Sequence, residues 1–190
     1  MEDFSYLTVS KTSEGLYKEK GSKFISFLHP VTLRDEINSI IKEYKVKYYD
    51  ARHVCFAFRL GLNGEDYRAY DDGEPGHTAG DPILNQLKSR QVTNSLLIVI
   101  RYFGGTKLGA RGLAAAYKES AIDALSNANI VKRELKENLT IEVEFAKIDI
   151  LMKLISKYRI DIVSQEFEMK AKYSLSIPKV NFDSFEEEWG

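Results

Sequence analysis

Two short segments crowd glycine and charge together between apolar runs, and they constrain this chain more than any other feature. The first is Asp71-Asp72-Gly73-Glu74-Pro75-Gly76-His77-Thr78-Ala79-Gly80-Asp81. The second is Arg101-Tyr102-Phe103-Gly104-Gly105-Thr106-Lys107-Leu108-Gly109-Ala110-Arg111-Gly112. Glycine weakens regular structure and neighbouring like charges repel, so side-chain packing alone seldom asks for such segments. Both are read as loops and as the candidate sites.

A chain of 190 residues can bury one substantial core or two small ones, and 44% hydrophobic with 29% charged residues belongs to a soluble globular protein. The opening Met1-Glu2-Asp3-Phe4 is acidic and leads into an alternating pattern, which predicts no secretory leader. No run approaches the roughly 18 apolar residues that cross a bilayer, so no membrane association is expected. Cys55 is the one cysteine. It can form neither an internal disulfide nor a multi-thiolate metal site, in keeping with a reducing cytoplasm. A net charge of −1 gives the molecule no overall pull toward nucleic acid, so any such binding must come from a local patch. Bases slightly outnumber acids up to residue 135, and acids outnumber bases beyond it.

Phe4, Tyr6 and Thr8 alternate with their neighbours, and Lys23 to Leu28 is rich in β-formers, which predicts two early strands around a turn at Ser13-Glu14-Gly15. Thr32 is placed at the start of a helix, with Asp35 as its capping-box partner and Ile37, Ile40, Ile41 and Tyr44 on one face. From Ala51 to Leu60 the period is two, so His53, Cys55 and Arg59 share a strand face. A hairpin through Gly61 to Gly64 leads to a strand near Tyr67 to Tyr70. Asp81 as N-cap and Pro82 as first helical residue open the next helix.

Ser95 to Ile100 is continuously apolar and suits a sheet centre, and Leu113 to Leu125 reads as an alanine-rich helix able to lie close to that sheet. The polar run Lys132 to Asn138 reads as a linker. Beyond it the pattern is strand, helix, strand, strand, then a break at Pro178 with an acidic tail. This is a ferredoxin-like half domain lacking its last strand, leaving the strand Leu139 to Phe145 open to pair with another chain. The division is a domain over residues 1–134 and a short second domain over 138–190.

The second loop follows a buried strand and precedes a helix, so Arg101, Gly104, Gly105, Lys107, Gly109 and Arg111 form a candidate anion or nucleic-acid site. The spacing matches neither a Walker A loop nor the dinucleotide fingerprint. The same glycines also suit a tight turn and close helix-sheet packing, with Lys107 and Arg111 solvated. Asp71, Asp72 and Glu74 have three readings: a hard-cation site with His53 or His77, pairing with Arg68, Arg101 and Arg111 that braces the two loops, or an alternative active site with His53 and Thr78. Bracing fits best, because no EF-hand or zinc spacing is present. No metal and no cofactor are expected. Cys55 beside His53 suggests a nucleophile and base, but residues two apart on one strand need not hydrogen-bond, and a single cysteine fits a small core residue better.

Asp71-Asp72-Gly73-Glu74-Pro75, Thr78-Ala79-Gly80, Pro82-Ile83-Leu84, Arg101-Tyr102-Phe103-Gly104-Gly105, Lys107-Leu108-Gly109 and Gly112-Leu113 together resemble the signature of the YigZ/IMPACT family. The resemblance takes in Lys20 to Phe24 and Ala51 to Arg59, and so covers nearly all of residues 15–128. Residues 139–190 resemble the small C-terminal domain of bacterial members. The chain departs from the pattern at Gly76-His77 and at Ala110-Arg111, where the arginine adds charge.

The resemblance implies an α+β fold: an N-terminal mixed-sheet domain similar to domain four of elongation factor G, followed by a ferredoxin-like domain. It also implies a cytoplasmic role near translation, since eukaryotic relatives restrain an amino-acid-starvation kinase through a ribosome-associated activator. The expected function is a non-catalytic regulator of translation and stress response that binds RNA or a ribosome-associated protein through the basic glycine loop. The alternative is an enzyme acting on a small phosphorylated or peptide substrate in a cleft between the two loops, with Asp72 or Glu74 as base.

Overall fold

A computed structural model describes residues 4–190. Met1, Glu2 and Asp3, on which part of the leader expectation rests, lie outside them. The chain forms two compact units, one over residues 6–133 and one over residues 134–190 together with residues 4–5.

The first unit is built from β1 (Ser5–Val9), β2 (Ser13–Glu19), β3 (Ser22–Pro30), α1 (Arg34–Lys47), β4 (His53–Leu60), β5 (Asp66–Tyr70), α2 (Gly80–Ser89), β6 (Ser95–Tyr102), α3 (Gly109–Ser126) and β7 (Ile130–Glu134), of which β1 and β7 each extend one residue past its bounds. Its main sheet has the order β2-β3-β6-β4-β5, and β1 pairs with β7 in a separate ladder. The continuous apolar run of β6 does occupy the sheet centre, buried from Ser95 through Arg101. On one face Phe27, Val54, Phe56, Leu96, Ile98 and Ile100 meet Ile37 and Tyr44 of α1. On the other Phe24, Cys55, Ala57, Leu97 and Val99 meet Ile83 and Leu87 of α2 and Ala116, Tyr117, Ala121 and Ala124 of α3. Each large side chain so buried contributes about 1.5–3 kcal/mol.

The mixed-sheet expectation narrows. β3 and β4 run the same way, as the crossover through α1 requires, but β6 inserts between them. All pairings in the main sheet are therefore antiparallel, and an isolated parallel bridge joins Leu7 to Val92.

Three local expectations are corrected. Ser13 to Gly15 is not a turn; β2 runs through it and the hairpin to β3 closes at Lys20-Gly21. Gly15 is there because α3 lies against it, a Cβ at this position falling 2.4 Å from the Ala124 nitrogen. The acid that caps α1 is Glu36, not Asp35: its carboxylate accepts the Thr32 and Leu33 backbone N–H groups at 2.7 and 3.0 Å. The supposed linker is strand on both sides of Leu135, because β7 pairs with β1 and β8 starts at Lys136.

The second unit contains β8 (Lys136–Val143), a 3-10 turn (Phe145–Lys147), α4 (Ile148–Tyr158), β9 (Asp161–Phe167), β10 (Ala171–Pro178) and α5 (Lys179–Trp189). Its antiparallel sheet has the order β8-β10-β9. Val143, Leu151, Leu154, Tyr173, Leu175, Ile177 and Phe185 fill its core. Arg159 ends α4 in the left-handed conformation at φ +53. Among the described residues, the β8 edge away from β10 has no strand on it.

Candidate functional site

The register brings both loops to one end of the main sheet. β4 is antiparallel to β5 and to β6, so the last residues of those two strands lie beside the first of β4: His53 is opposite Arg101, and Phe56 is opposite Tyr70. Lys23 at the start of β3 is opposite Tyr102, which adds the Lys20-Gly21 turn to the same end. The acidic loop, the glycine loop and the first turns of α2 and α3 therefore cluster there.

Asp71 organises the acidic loop. One carboxylate oxygen accepts the N–H groups of Ala79 and Gly80 at 3.0 and 2.8 Å, and the other accepts that of His77 at 3.0 Å. Burial alone pushes this carboxyl up, but the Gly80, His77 and Ala79 amides more than offset it and hold Asp71 below its ordinary value. Asp71, eight residues upstream of Ala79, thus caps α2, and the expected cap Asp81 does not. Asp81 instead accepts the His77 Nδ1–H at 2.6 Å, a bond that raises the His77 pKa.

Asp72, at φ +44, accepts the Val54 N–H at 2.8 Å and Lys45 Nζ at 3.0 Å. Its backbone carbonyl lies 2.9 Å from His53 Nδ1. A carbonyl only accepts, so Nδ1 carries a proton there and Nε2 faces Glu74, 3.9 Å from Oε1. Thr78 is buried and donates its hydroxyl to the Pro75 carbonyl at 2.6 Å, which leaves it turned into the loop.

Glu74 joins the two loops. Its Oε1 accepts Arg101 Nη1 at 2.6 Å and the Tyr117 hydroxyl of α3 at 2.8 Å. Both members of the ion pair are nearly sealed from water, Glu74 at 8% and Arg101 at 6% exposure. The guanidinium lies 5.6 and 5.7 Å from the rings of Phe24 and Phe103. Cys55 Sγ donates to the Asp71 carbonyl at 3.0 Å and lies 3.4 Å from the Tyr117 hydroxyl. Burial pushes its thiol well up, against a smaller downward pull from Tyr117.

His53, Asp71, Asp72, Glu74 and Arg101 thus converge, and Glu74–Arg101 is the one pair among them that belongs to the bracing reading. Two of its expected partners do not take part: Arg68 lies over the Tyr70 ring at 5.8 Å, and Arg111 is exposed. Arg101, expected to face an anion, is instead buried against Glu74, because its alternation on β6 points it to the α2/α3 face. The same ion pair joins the two loops across which a cleft was expected. Tyr117 was missed, although its spacing from Leu113, Ala116 and Ser120 marks it as inward and its hydroxyl must find a buried partner.

The glycine loop is built differently. Gly104 donates its N–H to Ser22 Oγ at 3.1 Å, and a Cβ on it would fall 1.9 Å from the carbonyl carbon of Gly21, so this glycine serves close chain contact. Gly105 and Gly109 have φ +88 and +73, and a Cβ on either meets nothing within 4 Å. α3 begins at Gly109, four residues before the sequence pattern places it. Lys107 and Arg111 are exposed, with no partner among the described residues. No group of three or more His, Cys, Asp or Glu among the described residues is placed to hold a metal ion, and no helix among them is long and apolar enough to cross a membrane.

A helix-covered antiparallel sheet with a braced loop cluster at one end, followed by a small three-stranded unit, defines an α+β protein of two units. The Impact N-terminal domain family matches residues 20–125, which hold both loops, and the chain belongs to this family. It is 40% identical to the IMPACT family member YvyE of Bacillus subtilis over 69% of this chain, a stretch that spans 60% of that protein's length. It is 29% identical to an IMPACT family member of Haemophilus influenzae over 89% of this chain and 83% of that one. The crystal structure of a hypothetical protein, 24% identical, superposes at a TM-score of 0.74 over 100% of this chain and 92% of its own, a likeness of fold. The two-domain translational regulator Yih1, at a TM-score of 0.38 and 21% identity over 67% of this chain and 49% of its own, is too distant for its arrangement to carry over.

Proposed function

We propose that this protein is a non-catalytic, translation-associated regulator that binds RNA or a ribosome-associated partner through residues 103–111. Lys107 and Arg111 are the contacting cations, and Gly105 and Gly109 leave the backbone open beside them. The observation that carries the reading is a contrast between neighbours. Lys107 and Arg111 are exposed and unpaired among the described residues, while Asp71, Asp72 and Glu74 are each engaged by amides or cations of the protein itself. An enzyme using Asp72 or Glu74 as base would need one of them free. Family membership supports the translational setting, and a cytoplasmic place and a part in stress response belong to the same proposal. The open β8 edge is proposed as a site of self-association, tested by the mass of the particle in solution.

Filter binding to structured RNA at two salt concentrations tests the main reading. Binding is expected to weaken with salt, and Lys107→Ala with Arg111→Ala is expected to weaken it alike for all sequences, because phosphate contacts are blind to base identity. Salt-independent binding, or no loss in the double variant, refutes it.

A further inference from the structure

We infer that the end of the main sheet carrying both loops holds a single strand of RNA, with phosphates on Lys20, Arg52, Lys107 and Arg111 and bases on Tyr49 and Phe103. This rests on the RNA binding proposed above and names the form of RNA and the further contacts.

The fold separates charge that the sequence mixes. Lys20 is exposed at φ +45 in the β2–β3 turn, and Arg52 is exposed just before β4. Antiparallel pairing sets both at the end where β6 runs into the glycine loop. Three acids of this end turn inward, Asp71 onto three amides, Asp72 onto Val54 and Lys45, and Glu74 onto Arg101, while Asp81, 47% exposed at its side chain, pairs with His77. Asp50 accepts the Tyr102 hydroxyl at 2.9 Å. The opposite end carries Asp35 and Glu36 in the first turn of α1, and Glu65 and Asp66 in the β4–β5 hairpin, with Arg34 paired to Asp66 and Arg59 held by the Asn63 carbonyl. A net charge of −1 therefore hides a cationic end on this sheet.

Two large rings stand in the same place without filling a core. Tyr49 is 85% exposed and Phe103 is 45% exposed. The Tyr102–Asp50 bond ties their two segments together, since Tyr49 precedes Asp50 and Phe103 follows Tyr102. Exposed aromatics interleaved with cations suit unpaired bases, whose faces are free to stack; a duplex keeps those faces within its own stack. An acidic peptide would use the cations and leave the rings idle.

The test is fluorescence anisotropy with a labelled oligouridine of about 12 nucleotides, a duplex of the same length and an oligoglutamate peptide, each at about 50 and 200 mM salt. The single strand is expected to bind tightest. Lys20→Ala with Arg52→Ala is expected to flatten the slope of log affinity against log salt by roughly 0.7 per cation removed. Tyr49→Ala is expected to lose roughly 5- to 100-fold in affinity with that slope unchanged. Tyr49 and Arg52 are exposed, and circular dichroism checks that each variant is folded. If Lys107→Ala with Arg111→Ala weakens binding while Tyr49→Ala and the Lys20, Arg52 pair do not, the inference falls and the proposed function stands. Equal binding of the duplex, or tighter binding of the peptide, also overturns it. If the Lys107, Arg111 pair has no effect on any probe, both fail.

Discussion

The Glu74 carboxylate and the Arg101 guanidinium meet at 2.6 Å, and this buried pair fastens the acidic loop to the strand that feeds the glycine loop. Removing one partner leaves an uncompensated buried charge, which destabilises by about 3–5 kcal/mol. Glu74→Ala and Arg101→Ala are each expected to lose that much in urea denaturation. Glu74→Leu combined with Arg101→Met is expected to lose less than the sum of its two single changes, because no charge is stranded. Strictly additive losses would show that the two side chains act independently.

Asp71 links stability to acid. Its folded pKa lies below the ordinary 3.8, burial opposing and the Gly80, His77 and Ala79 amides overcoming. A depressed carboxyl contributes stability that is present above the unfolded value and is lost as pH falls through the folded one. Asp71→Asn is expected to unfold α2 more readily at neutral pH, by about 0.5–2 kcal/mol as for a lost cap, and to flatten the decline in melting temperature below pH 4. A variant with the same acid limb as the parent removes Asp71 from that role.

His29 acts in a higher pH range. It lies 3.1 Å from Thr12 Oγ1 and 2.9 Å from the Tyr44 hydroxyl, and burial lowers its pKa against the weaker upward pull of Glu43 and Glu14. The unfolded chain then takes up the proton first, so stability falls as pH drops below the ordinary 6.5 and levels off below the folded value. His77 has the opposite sign, its folded pKa raised by Asp81. The comparison is therefore made within one variant: His29→Gln is expected to lose less melting temperature than the parent between pH 7.5 and 5.5, and an equal loss counts against this assignment.

Two adjacent glycines are required for different reasons. At Gly104 an added methyl meets the Gly21 backbone at 1.9 Å, with no flexible side chain to yield. At Gly105 it meets open space, and only the φ of +88 resists. Gly104→Ala is expected to cost about 1–3 kcal/mol or more, and Gly105→Ala about 1–2 kcal/mol. Chemical denaturation giving the reverse order would mean that close contact with the Lys20-Gly21 turn is not what Gly104 supplies.

Short-range pattern was enough to recover the elements whose burial repeats along the chain. The alternation from Val54 to Leu60, the apolar run of β6 and the stripe of α1 each report which side of a residue faces the core. The family resemblance was legible in the same way, as fixed glycines and charges at fixed spacing. Pairings between distant residues left no such trace. That Asp71 and not Asp81 caps α2, that Gly15 admits α3 and not a turn, and that Tyr117 reaches Glu74 all depend on chain segments brought together by folding. Arg101 shows the division most plainly: its type suggested a contact for phosphate, but its register on β6 turned it inward to Glu74, leaving Lys107 and Arg111 as the exposed cations of that loop. Residue identity sets what a side chain can bind, and the strand register sets what it meets.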